Sequence, residues 1–136
     1  MSVANHDYWQ AYIRDIADRM ALKDWTILLS DEPADEESEA TTFLTNGRKV
    51  AKVYLSSKWE GRTPEEQRHT VVHEMVHPHL YPLTNMGEDD IEPLIGKAAH
   101  TLWQASFRRE LEYAVDGLAD AIAPLMPLPE PPKDKQ

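Results

Sequence analysis

The sequence predicts an α+β domain: an N-terminal helix, a small three-stranded and mostly antiparallel sheet, then two helical stretches. Three observations carry that expectation. The β-prone runs crowd between residues 25 and 57, and an Asn46-Gly47 pair joins two of them. Apolar residues recur at the helical period of about 3.6 on both sides of that block. A compact helix-start signal, Thr63-Pro64-Glu65-Glu66, follows the last strand. At 136 residues the chain is long enough for one core; residues 1–123 are read as one domain and 124–136 as a tail.

Residues 5–23 make the first helix, with Tyr8, Tyr12, Ile16 and Met20 on one stripe, Trp9, Ile13 and Ala17 beside it, and Asn5 as cap. Trp25 to Ser30 is a short strand. Asp31 to Glu39 holds six acidic residues and reads as a solvated loop. Ala40–Thr45 and Arg48–Ser57 form a hairpin, its turn expected to be type I′ because Asn-Gly tolerates positive φ at both positions. Ala51, Val53 and Leu55 then share the buried face of the second strand.

The next helix starts at Pro64, capped by Thr63 with Glu66 closing a capping box, and is expected to stop at His77 because Pro78 follows. Residues 78–90 read as a loop. From Asp89 or Asp90 an apolar rhythm (Ile91, Leu94, Ala98, Leu102, Leu111, Val115, Leu118, Ile122) predicts one long helix or two abutting ones. The tail contains five of the ten prolines and is expected to be extended or disordered.

Composition removes several classes. A net charge of −10 argues against direct nucleic-acid binding. The lack of cysteine leaves His and carboxylates as the only strong ligands for a transition metal. Neither a signal peptide nor an apolar run of bilayer length is apparent, so a cytoplasmic protein without a membrane partner is expected.

The chemistry concentrates in His73-Glu74-Met75-Val76-His77. On a helix, His73 and His77 at i and i+4 face one ion, and Glu74 between them reaches a water on it. Chance alone produces H-E-x-x-H in a chain of this length on the order of 1% of the time, and its place on a capped helix adds weight. Such a site needs a third ligand, usually His or a carboxylate. Glu112 is favoured because Asp116, four residues on, can accept the free N–H of a ligand histidine. Glu110 competes, but it lies about 160° away around the helix and has no carboxylate at +4. His69, one turn before His73, is expected to be exposed or to support a ligand.

His73-Glu74-x-x-His77 followed by Glu112-x-x-x-Asp116 resembles the zincin metallopeptidases of the gluzincin type. The stretch Glu112-Tyr-Ala-Val-Asp116-Gly-Leu-Ala, running on to Leu125-Met126-Pro127, is also similar to the ligand helix of ImmA/IrrE-like peptidases. Two departures are visible: Pro78 follows the second histidine, which keeps His79 open as a substitute ligand, and Asp116 stands where that family commonly has Asn. The resemblance implies a zincin-like fold and a Zn2+ cofactor on His73, His77 and Glu112. It further implies Glu74-assisted hydrolysis of a peptide bond, with a protein or peptide substrate and regulatory proteolysis as the setting. Tyr113, His100, Tyr81 and His79 are candidates to stabilise the oxyanion, and the strand near 50–56 to offer an edge to an extended peptide. The competing reading is a zinc-containing protein-binding module without proteolytic activity.

Overall fold

The computed structural model describes residues 1–133. Helix α1 (Val3–Arg19) precedes β1 (Thr26–Leu29), β2 (Ala40–Leu44) and β3 (Val50–Leu55); α2 (Pro64–Asn85), a π-helical turn (Met86–Asp90), α3 (Glu92–Ile95) and α4 (Lys97–Ile122) complete the chain. The class is α+β, as the patterning predicts. Ser2 rather than Asn5 caps α1, its side chain accepting the Asn5 N–H.

The sheet is mixed, not mostly antiparallel. Its order is β1-β3-β2, with β1 parallel to β3 (Ile27 beside Ala51) and β2 antiparallel to it (Thr42 beside Val53). Local pattern reveals a strand but not its direction, which depends here on the acidic segment crossing the end of β3 before β2 returns. The central strand is β3, so the strand expected to offer an edge has neighbours on both sides. The outer edge of β1 is occupied as well: the Gln10 amide donates to the Ile27 carbonyl (2.9 Å) and accepts from the Leu29 N–H (2.6 Å). That leaves β2 as the open edge. Glu39 and Thr45 bond towards β3, so the alternation of an antiparallel ladder turns the N–H and C=O of Ala40, Thr42 and Leu44 outward.

The turn between β2 and β3 is closed by Arg48 N–H to the Thr45 carbonyl (3.2 Å), and of Asn46 and Gly47 only Gly47 has positive φ (+73°). Type I′ requires both, so the expected turn type is corrected; positive φ at the third turn residue alone is the requirement of type II.

Helix α2 corrects the expected stop at His77. Its capping box forms as read, with Thr63 and Glu66 bonding reciprocally, but the helix runs through Pro78 and Pro82 to Asn85. Pro78 has no N–H for the Glu74 carbonyl, a helix-interior defect of about 3 kcal/mol. Contacts made beyond it hold the helix: Pro78 is buried, His79 bonds the Met20 carbonyl (2.5 Å), and Tyr81 packs edge-on against Trp25. The expected loop at 78–90 is therefore helical. Gly96, at φ +83°, breaks the later rhythm into α3 and α4.

The core lies between α1, the inner face of the sheet and α2. Trp9, Ile13, Ile16, Leu22, Ala51, Val53, Trp59, Val71, Val72 and Met75 are buried there, joined by Val115 and Ala119 of α4. Burying each large apolar side chain contributes roughly 1.5–3 kcal/mol. Beyond Leu125 the chain has no helix or strand through Lys133 and lies along α1; residues 134–136 of the expected tail fall outside the described residues. No helix among the described residues is long and apolar enough to cross a membrane.

Candidate metal centre

Two antiparallel helices build the site. Val115 and Ala119, fully buried, set the rotation of α4 against the core. That rotation carries Glu112, Asp116 and Asp120 to the face of α2 that bears His69, His73 and His77. Each four-residue step along α2 meets a four-residue step back along α4. His69 Nε2 pairs with Asp120 Oδ1 (2.7 Å), His73 Nδ1 with Asp116 Oδ1 (2.8 Å), and His77 Nε2 with Glu112 Oε1 (3.3 Å).

In the middle of this ladder His73 uses both ring nitrogens. With Nδ1 on Asp116, its Nε2 lies 3.3 Å from Glu112 Oε2. Ligand atoms of His73, His77 and Glu112 all fall within 4.8 Å of one another, a group that can hold a metal ion. Two ligands bound at about 2.0–2.2 Å to one tetrahedral ion stand ~3.3–3.6 Å apart. His73 Nε2 stands 3.3 Å from Glu112 Oε2 and His77 Nε2 stands 3.3 Å from Glu112 Oε1, so the carboxylate meets each imidazole through a different oxygen. The donor set of two imidazoles and one carboxylate fits such an ion and leaves a position open.

The electrostatics reflect the same crowding. Burial works to lower the His73 pKa, but its hydrogen bond to Glu112 and the charges of Glu74, Glu112 and Asp116 outweigh it and lift the value to about 9. Glu112 is held below the usual carboxylate range, first by that hydrogen bond. Glu74 moves the opposite way: burial raises its pKa against the pull of Thr42 and the two histidines. Its Oε2 accepts the Thr42 hydroxyl at 2.5 Å.

His73, Glu74, His77 and Glu112 line a cleft of about 580 Å³, walled on one side by Ala40 to Leu44 of β2 and on the other by α2 and by Arg108, Leu111 and Glu112 of α4. Among the alternatives open in the sequence, Glu110 pairs with Arg109 on the exposed side of α4 and takes no part. His79 points to the end of α1, which removes it both as a substitute ligand and as an oxyanion donor. His100 is buried against the Glu88 carbonyl, and Tyr113 is 80% exposed. Tyr81 alone of the four oxyanion candidates lines the cleft. Thr42 carried no sequence signal, because a threonine in an edge strand has no pattern that points thirty residues on to a glutamate. Arg108 and Glu88, paired at the far end of the cleft, were equally silent.

No protein-family model, curated protein or solved structure matches the chain.

Proposed function

We propose that the protein is a zinc-dependent peptidase whose ion is held by His73, His77 and Glu112. The observation that carries the reading is the convergence of those three ligand atoms within 4.8 Å in a cleft that also contains the buried Glu74 carboxylate. A cysteine-free set of two imidazoles and one carboxylate suits zinc. Once bound, the ion supplies a Lewis acid that polarises a carbonyl and acidifies water.

The chain's own groups do the rest. Asp116 accepts the Nδ1–H of His73, fixing the ring's tautomer and leaving Nε2 free to ligate. Glu74, with Oε2 held by Thr42, takes the proton of the attacking water and passes it to the leaving amine. Burial that raises its pKa brings it closer to a working proton shuttle. Tyr81, which lines the cleft and whose hydroxyl donates to Asn46 Oδ1 (3.3 Å), is the candidate in this reading to turn its hydroxyl to the carbonyl oxygen. An extended peptide reaches this machinery by pairing with the outward N–H and C=O groups of Ala40, Thr42 and Leu44, so the substrate is a protein or peptide strand.

The test is a comparison of wild type and Glu74→Gln, both loaded with zinc, against a broad fluorogenic peptide library. The expected result is stoichiometric zinc in both and cleavage by wild type only, reduced at least 100-fold (about 10²–10⁴ is usual for a proton-transfer residue) in the variant. Zinc binding without cleavage by wild type would convert the reading to a binding module; no zinc at all would end both.

A further inference from the structure

We propose, building on the peptidase reading of the cleft, that Arg108 selects the substrate by receiving a carboxylate that the peptide carries about two residues to one side of the bond that is cut. The substrate class narrows accordingly to peptides with an Asp or Glu side chain, or a free C-terminus, at that place.

The cleft has a direction. β2 and α2 run the same way along it: Glu39 accepts the Thr70 hydroxyl, Thr42 donates to Glu74, and Tyr81 donates to Asn46. α4 runs back against them, so its next turn after the His77–Glu112 contact brings Arg108 to the Leu44 end. The two ends differ in charge. Among the described residues, Arg108 is the one Lys or Arg that lines the cleft. At the Ala40 end the cleft adjoins a recess of about 230 Å³ lined by the carboxylates of Glu39, Glu74 and Asp116 and by no Lys or Arg, although Glu39 pairs with Arg62 at 2.8 Å. A carboxylate in the cleft is therefore attracted at one end and repelled at the other.

The guanidinium is held by one edge only. Its Nε donates to Glu88 Oε1 at 2.5 Å, while its two terminal nitrogens have no hydrogen-bond partner among the described residues. Those nitrogens form the fork that takes a carboxylate bidentately. The Glu88 side chain is 21% exposed and that of Arg108 60%, so the anchor is the better buried partner and the guanidinium stays open to a ligand.

The anchor has its own support. Glu88 belongs to the π-helical turn Met86–Asp90, a rare geometry that often occurs at functional sites. Trp103 donates its indole N–H to the Gly87 carbonyl (2.7 Å), and the buried His100 meets the Glu88 carbonyl. Gly87 packs so closely on the Phe107 ring that a side chain there would strike it. Three residues of α4 thus fix the turn that presents Glu88 to Arg108. Arg108 precedes Glu112 by one turn, a rise of about 6 Å. A peptide extended along β2 advances about 3.3 Å per residue, which makes that rise about two residues.

The experiment uses the full chain as zinc-loaded Glu74→Gln, which holds a peptide without turning it over. The probes are fluorescein-labelled, end-capped peptides with a central phosphinate that fixes their register on the ion, carrying Glu or Gln at each position on either side. Anisotropy should show Glu bound about tenfold more tightly than Gln at the second position on one side only, as a charge-assisted hydrogen bond partly screened by solvent implies. The preference should shrink in about 0.5 M salt. Adding Arg108→Gln should erase it. Adding Glu88→Gln, which keeps an acceptor for Nε but removes the competing charge, should enlarge it. An all-Gln probe ending two residues beyond the phosphinate, as acid or amide, identifies the source: a tenfold gain for the acid assigns the carboxylate to a C-terminus, and no gain assigns it to a side chain. Equal binding of Glu, Gln, acid and amide probes overturns the proposal, as does a preference that survives Arg108→Gln. Loss of the preference in both variants alike marks a merely structural pair and overturns it too. Selective binding without cleavage of ordinary peptides by wild type removes the peptidase reading and leaves the carboxylate site standing; cleavage that ignores the charge does the reverse.

Discussion

Replacing Asp116 by alanine removes the acceptor that holds His73 Nδ1 at 2.8 Å while leaving all three candidate ligands in place. Carboxylates that orient a ligand histidine contribute roughly 10–100-fold to metal affinity. The Asp116 side chain is 61% exposed and that of His73 only 18%, so solvent screens one partner of the bond. The expected loss therefore lies near the lower end, about tenfold, or ~1.4 kcal/mol. Asp120 supplies an internal control: it is the same residue type, one turn further on, bonded at 2.7 Å to His69 and 74% exposed. Asp120→Ala removes a nearly identical contact from a histidine outside the ligand group, and should change affinity by less than about twofold. Zinc competition titrations with a chromophoric chelator at pH 7.5 read both numbers directly. Equal losses in the two variants would show that the Asp116–His73 contact is only one rung of a helix–helix ladder, and the centre would lose its supporting carboxylate.

Two further outcomes follow from the same contacts. In the metal-free protein His73 has a folded pKa of about 9 against an ordinary value of 6.5. A raised histidine value stabilises the fold fully below the unfolded pKa, so chemical-denaturation midpoints should fall as pH rises from 6.5 through 9. Zinc uptake at pH 7.5 should release about one proton, seen as a buffer-dependent binding enthalpy in calorimetry; a flat profile and no released proton would place His73 outside the ion pair. Pro78→Ala restores an N–H for the Glu74 carbonyl. The helix-interior gain of ~3 kcal/mol exceeds the lost chain stiffness (~0.4–1) and lost ring burial (~1), for a net stabilisation of about 1 kcal/mol. Thermal unfolding should shift up by roughly 3–4 °C, whereas a fall would mean that the proline ring's packing, not the helix backbone, dominates there.

How much of this was legible beforehand divides along one physical line. Signals that depend on neighbours in sequence were readable. The capping box at Thr63–Glu66 is two reciprocal bonds within four residues, and the buried alternation of Ala51, Val53 and Leu55 follows from the strand's period. The four-residue spacings of His73/His77 and Glu112/Asp116 are set by the helix itself. The choice of Glu112 over Glu110 rested on the same periodicity, and the structure brings Glu112 alone of the two to the histidines.

Signals that depend on what packs from elsewhere were not readable. Pro78 and Pro82 look like stops, because a lone helix gains nothing to offset the missing hydrogen bonds; here the burial of Pro78 and the contacts of His79 and Tyr81 supply it. Gly96 looks like a tolerable residue in a helical rhythm until its φ of +83° separates α3 from α4. The direction of β1, the Gln10 amide that closes its edge and the Thr42 hydroxyl on Glu74 all join segments that no local pattern relates. The sequence alone determined which residues are able to ligate and which face of its helix each shares. Only the tertiary structure decided that these faces meet, because the rotation of α4 is fixed by Val115 and Ala119 packing into a core shared by α1, the sheet and α2.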